Sequence, residues 1–82
     1  MKINVILYGV LKQDAGVKRH TLDLSSDPAT VRAAVSELAA QIPALAARLE
    51  TVAYVIDDEI VDPDTILHDG DQLALLPPVS GG

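Results

Sequence analysis

Chemistry in this chain is expected at its last six residues, Pro77-Pro78-Val79-Ser80-Gly81-Gly82. A carboxylate at Gly82 is a poor electrophile. It must be given a good leaving group before a nucleophile can attack it. Glycine at 81 and 82 allows the chain to thread a slot too narrow for any side chain. Pro77 and Pro78 fix φ and remove two N–H donors, so the tail does not simply extend a sheet ladder. Six extended residues reach roughly 20 Å, far enough to carry Gly82 from a folded body into a buried partner site. The plainer readings are a tolerant terminus without a role, or a truncated chain.

Nothing else in the chain competes for a catalytic role. There is no cysteine, hence no thiolate nucleophile, disulfide or Cys-based metal site. His20 and His68 stand alone and read as surface residues. Asp57, Asp58, Asp62 and Asp64 lack the ligand spacing of a calcium loop and read as solvated or structural acids. No Gly-rich phosphate loop and no nucleophile–His pair is present. The chain is expected not to catalyse alone, and no metal site is expected.

The elements that must hold this tail follow from hydrophobic periodicity. Residues 3–8 alternate Ile3, Val5 and Leu7 on one face and predict a strand. Gly9 to Gly16 reads as a turn region, and Val17 to Leu24 as a second strand closing a hairpin. Helix-start chemistry comes next, with either Asp27 capping ahead of Pro28 or Thr30 as the cap; Thr30 is the better candidate. Val31, Ala34, Val35, Leu38, Ala39 and Ile42 then form one apolar helical stripe, which Pro43 ends. Ala44 to Leu49 fits a short extra helical turn.

Val52 to Ile56 predicts a buried, central strand. A turn at Asp57-Asp58 leads into a short strand at 59–61, turns follow at 62–65 and 68–71, and Gly70 is the left-handed position of the second. Gln72 to Leu76 is the last strand, stopped by Pro77. The order β-β-α-β-β-β gives an α+β fold, a mixed sheet of about five strands with one helix on one face. The first and last strands can lie side by side at the sheet centre, which is the β-grasp, or ubiquitin-like, arrangement. The domain is expected over 1–76 and the extended tail over 77–82. Apolar residues on the uncovered face would be partner surface.

With 82 residues, 49% of them hydrophobic, the chain makes one domain with a modest core. Net charge is −6 and unevenly spread. Lys2, Lys12, Lys18, Arg19, Arg32 and Arg48 supply all the cations, and only acids follow: Glu50, Asp57, Asp58, Glu59, Asp62, Asp64, Asp69 and Asp71. Phosphate binding needs cations and base stacking needs aromatics, so nucleic acid is not an expected partner. The acidic half either steers basic partners or simply solvates the surface. No apolar run is long enough to span a bilayer, and the opening residues lead into a strand rather than a signal peptide. A reducing cytoplasm is the expected location.

Residues 67–82, Leu-His-Asp-Gly-Asp-Gln-Leu-Ala-Leu-Leu-Pro-Pro-Val-Ser-Gly-Gly, resemble the C-terminal signature of the molybdopterin synthase small-subunit family, the sulfur carriers of the MoaD/ThiS type. There an Asp-Gly-Asp turn leads through an apolar strand to Pro-Pro-Val-(Ser/Ala/Thr)-Gly-Gly. Ile3 to Gly16 and Thr30-Val31-Arg32 are similar to the family's opening strand and helix start.

The resemblance implies that an E1-like enzyme uses ATP to adenylate Gly82. A sulfurtransferase or cysteine desulfurase would then supply sulfur that displaces AMP and leaves a thiocarboxylate. The tail would deliver that sulfur in the synthase large subunit to cyclic pyranopterin monophosphate, and two transfers build the dithiolene. A two-plus-two heterotetramer is implied, with no cofactor held by this chain. Gly82 would be the reacting residue and Gly81 the clearance residue. Pro77, Pro78, Val79 and Ser80 would be read by partners, with Leu76 helping to anchor the strand or the interface. At least one of Leu75 and Leu76 is expected to be core.

This chain departs from the family pattern by carrying Leu75 and Leu76 where relatives often carry Phe, and Asp57-Asp58-Glu59 in place of an Asn-containing turn. Two alternatives stay open. One is a sulfur carrier for thiamine, cysteine or tRNA thiolation; the other is a ubiquitin-like modifier or interaction module.

Overall fold

The computed structural model describes residues 1–26 and 28–78. Strand β1 (Lys2–Leu7) pairs antiparallel with β2 (Arg19–Asp23), with Ile3 opposite Leu22 and Val5 opposite His20. On its other side β1 pairs parallel with β7 (Gln72–Leu76), with Val5 opposite Leu73 and Leu7 opposite Leu75. Strand β4 (Ala53–Ile56) joins β7 antiparallel, and β5 (Glu59–Val61) closes the sheet. The order β2-β1-β7-β4-β5 puts the first and last strands together at the centre of a mixed sheet. The expected β-grasp architecture is the observed one. Two strands of two residues, β3 (Ala29–Thr30) and β6 (Ile66–Leu67), form a separate small ladder.

Helix α2 (Val31–Gln41) covers one face of the sheet. Thr30 is its cap: the backbone there is extended, and its Oγ1 accepts from the Ala33 N–H at 3.1 Å. Val31, Ala34 and Leu38 are buried against the sheet, while Val35, Ala39 and Ile42 pack along the margin of the same core. Facing them are Ile3, Val5 and Leu7 of β1, Leu22 of β2, and Leu73 and Leu75 of β7, all buried. Alternation along each strand therefore sends one set of side chains to the helix and the other to the uncovered face.

The Asp-Gly-Asp turn is the clamp that aligns the two central strands. The Lys2 N–H donates to Asp69 Oδ1 at 2.7 Å, and the Gly70 N–H donates to the Lys2 carbonyl at 2.8 Å. The Asn4 N–H then donates to the Asp71 carbonyl at 2.9 Å, and the His68 N–H to Asp71 Oδ2 at 2.8 Å. Gly70 takes φ 87, the left-handed position expected for it. Parallel pairing starts with register already set, which fixes how far along the sheet β7 ends.

Three local expectations need correction. Residues 9–16 contain a short helix, α1 (Val10–Ala15), rather than only a turn. Leu11 drives it by full burial, and the exposed Arg48 guanidinium pairs with Asp14 from the neighbouring segment. Strand β4 is half-buried on both faces rather than fully buried: Tyr54 and Ile56 lie at the margin of the core, and Ala53 and Val55 lie on the uncovered face. The extra helical turn starts one residue earlier than expected, as a 3-10 turn at Pro43–Leu45 where Pro43 supplies a preset φ and Leu45 is buried, and it continues through the expected span, with the Leu49 N–H donating to the Leu45 carbonyl at 3.1 Å. Among the described residues, no helix is long and apolar enough to cross a membrane.

Candidate functional site

Strand β7 is central, and its last residue hands directly to the tail. Leu75 is fully buried under α2, which makes it core. Leu76 alternates to the other side, lies opposite Ala53, and is only half-buried on the uncovered face. Pro77 is half-buried and Pro78 is exposed. Pro77 rests over Gly9, where a built Cβ would come within 3.1 Å of the Pro77 Cγ. The expected site residues Val79, Ser80, Gly81 and Gly82 lie outside the described residues, as does Asp27, the alternative cap.

The uncovered face carries an apolar row that the strand register builds directly. Ile6 lies opposite Ala74, Ala74 opposite Val55, and Val55 opposite Ile60. Ile60 is 78% exposed although it is a large aliphatic side chain. Tyr8 follows Ile6 on the same side of β1, and the Lys18 ammonium sits 5.8 Å from its ring centroid. A shallow groove runs over this row from Tyr8 to Asp57 and Asp58. Arg19, opposite Ile6, places a cation at the β2 end, whereas Asp57, Asp58 and Glu59 are exposed acids at the β5 end. Alternation of strand residues foretells such a face in outline; which side chains share one row needs the register.

Both residues of the β4–β5 turn, Asp57 and Asp58, have positive φ, 50° and 64°. This is the geometry of a two-residue mirror-type hairpin turn, which suits the twist of the strands but usually recruits Asn-Gly. Asp62 and Asp64 have structural partners. Asp62 Oδ1 accepts from the Asp64 N–H at 2.8 Å, and Arg32 reaches Asp64 at 3.1 Å. Among the described residues, no group of His and acidic side chains is arranged to hold a metal ion. His68 is exposed, and His20 Nε2 lies 2.7 Å from Gln41 Oε1 at the sheet margin, away from the tail.

Among the described residues, the arrangement brings the exit of the central strand, Leu76 to Pro78, next to an apolar surface on the uncovered face. The ThiS family matches residues 5–82. The molybdopterin synthase sulfur carrier subunit of Chlamydomonas reinhardtii is 33% identical, with the whole of both chains covered. The crystal structure of SAMP1 from Haloferax volcanii superposes with a TM-score of 0.91 at 29% identity over the full length of both chains. The complex of subunits 1 and 2 of molybdopterin-converting factor from Helicobacter pylori contains a chain that superposes with a TM-score of 0.68 at 25% identity, again over full lengths.

Proposed function

This chain belongs to the ThiS family, and on that premise we propose that it is the sulfur carrier subunit of a molybdopterin synthase. The observation that carries the proposal is the run from buried Leu75 through Pro77-Pro78 to a Gly-Gly end, on a chain similar over its whole length to a molybdopterin synthase sulfur carrier subunit.

In this reading the Gly82 carboxylate attacks the α-phosphorus of ATP on an adenylating enzyme and releases pyrophosphate. Hydrosulfide released by the sulfur donor then attacks the acyl carbon, the C–O bond to AMP breaks, AMP leaves, and a thiocarboxylate remains at Gly82. The large subunit receives the tail, and the sulfur passes to the pterin precursor. The part this chain plays is presentation. Gly81 clears the slot, the two prolines stiffen the approach, and a chain without cysteine offers no internal thiol to capture the activated end. Docking through the face of Ile6, Ala74, Val55 and Ile60, with Leu76 beside the exit, would seat the tail and exclude water from the transfer.

The test is intact mass after incubation with the adenylating enzyme, ATP and a sulfur donor. The expected result is exchange of one oxygen for one sulfur, absent when Gly82 is deleted. Transfer to cyclic pyranopterin monophosphate in the presence of the large subunit then fixes the acceptor. An unchanged mass, with the enzyme active on another carrier, overturns the proposal. A second reading draws on the similarity to SAMP1, whose other solved structure is described as a small archaeal modifier protein. It requires amide conjugates between Gly82 and target lysines, visible as higher-mass species.

A further inference from the structure

Gly9 lies directly beneath the first proline of the tail, and we infer that it is a positioning residue whose missing side chain sets the direction in which Pro77 leaves the sheet. The inference deepens the sulfur-carrier reading, on which its functional consequence rests.

Gly9 differs from the other glycines that have positive φ. At Gly16 and Gly70 a Cβ would meet nothing within 4 Å, so backbone conformation alone accounts for glycine there. Gly9 answers two demands. Its backbone, φ 57 and ψ −130, is open essentially to glycine. Its Cα also sits against the tail, where a Cβ would lie 3.1 Å from Pro77 Cγ and 3.9 Å from Cδ. The parallel register causes this meeting: Leu7 lies opposite Leu75, so the next residues of each strand run out side by side.

Neither neighbour of the contact is free to retreat. The chain turns at once from Gly9 into α1, where the Gln13 N–H donates to the Gly9 carbonyl at 3.3 Å and the Leu11 N–H to the Tyr8 carbonyl at 3.1 Å. Fully buried Leu11 pins that helix to the core. On the other side, Leu75 is fixed in the core only two residues before Pro77. A side chain at Gly9 must therefore move the Pro77 ring. The ring must give by a few tenths of an ångström at Cγ, and because proline cannot rotate φ, what its pucker does not take up passes to the backbone at Pro77 and Pro78. A reacting end that arrives about 1 Å out of place can lose up to about 10²-fold in rate.

The experiment compares Gly9→Ala in the natural chain and in a Pro77→Ala background, which lacks the Cγ and Cδ atoms that the new methyl would meet. NMR of the Pro77 and Pro78 ring protons reports the exit directly, with the Leu11 and Leu75 methyls as a check on the core. Sulfur transfer kcat/KM with the large subunit reports the consequence. The expected result is shifted Pro77 and Pro78 resonances with steady core methyls, and a roughly three- to tenfold fall in kcat/KM. The same Gly9→Ala change should cost under about twofold in the Pro77→Ala background. If Gly9→Ala unfolds, nuclear Overhauser contacts between the Gly9 α protons and the Pro77 ring protons of the natural chain decide instead, and their absence overturns the inference. Unchanged ring resonances, or an equal loss in both backgrounds, overturns the inference and leaves Gly9 a residue of the turn alone. A natural chain that never gains sulfur overturns the sulfur-carrier reading instead, and displacement of the Pro77 ring then decides for or against the positioning role by itself.

Discussion

Leu75 and Leu76 are neighbours in sequence with opposite duties. Leu75 is fully buried under α2, and Leu75→Ala should cost about 2–5 kcal/mol from lost transfer energy and the cavity left behind. A domain of this size has roughly 4–12 kcal/mol in total, so chemical denaturation should show a large fall in midpoint. Ile60 presents the opposite case. It is 78% exposed, so Ile60→Ser should change stability by no more than about 0.5 kcal/mol. If the uncovered face docks the large subunit, the same substitution should weaken binding by roughly tenfold, measured by calorimetric titration. The expectation that at least one of Leu75 and Leu76 is core needed only strand alternation and a known helix face. The contact between Gly9 and Pro77 could not be read that way. Gly9 looks like any turn glycine, and its partner comes from the far end of the chain.

Among the elements, those with enough residues to show a period were legible. The stripe from Val31 to Ile42 spans three turns, and Thr30 caps it as its side-chain chemistry demands. Helix α1 has six residues with glycines on either side and a single buried side chain, Leu11, so no periodicity exists to be read. Strands β3 and β6 have two residues each and exist only because the loops carrying them meet. The β4–β5 turn was legible as a turn, but its strain was not. Aspartate at φ 50 and 64 occupies a state that glycine or asparagine takes more easily. Asp58→Gly should therefore stabilise the fold by about 0.5–1 kcal/mol, seen as a melting temperature higher by roughly 2–6 °C.

Taken whole, the molecule keeps its core and its handle apart. Among the described residues, every buried side chain lies between Ile3 and Leu75. Deleting residues 79–82 should leave the melting temperature within about 2 °C of the full chain while abolishing sulfur loading, a separation that differential scanning calorimetry and intact mass can check together. The β-grasp topology was legible in the order of elements, since a hairpin, a helix and further strands leave few ways to cover one sheet. The placement of the charges was legible only as a sum. The register was needed to set Arg19 and the Asp57-Asp58-Glu59 turn at opposite ends of one apolar row.

The parallel pairing of β1 with β7 has a mechanical consequence. A partner that tugs on Pro78 pulls along β7, away from the end of the sheet where Lys2 is held by Asp69 and Gly70. The hydrogen bonds from Asn4–Gln72 to Leu7–Leu75 then carry the load together, in shear, instead of opening one after another as a zipper would. If a partner draws the tail into a tight site, as proposed, this geometry spreads the force over the paired strands and resists unravelling of the body that bears it.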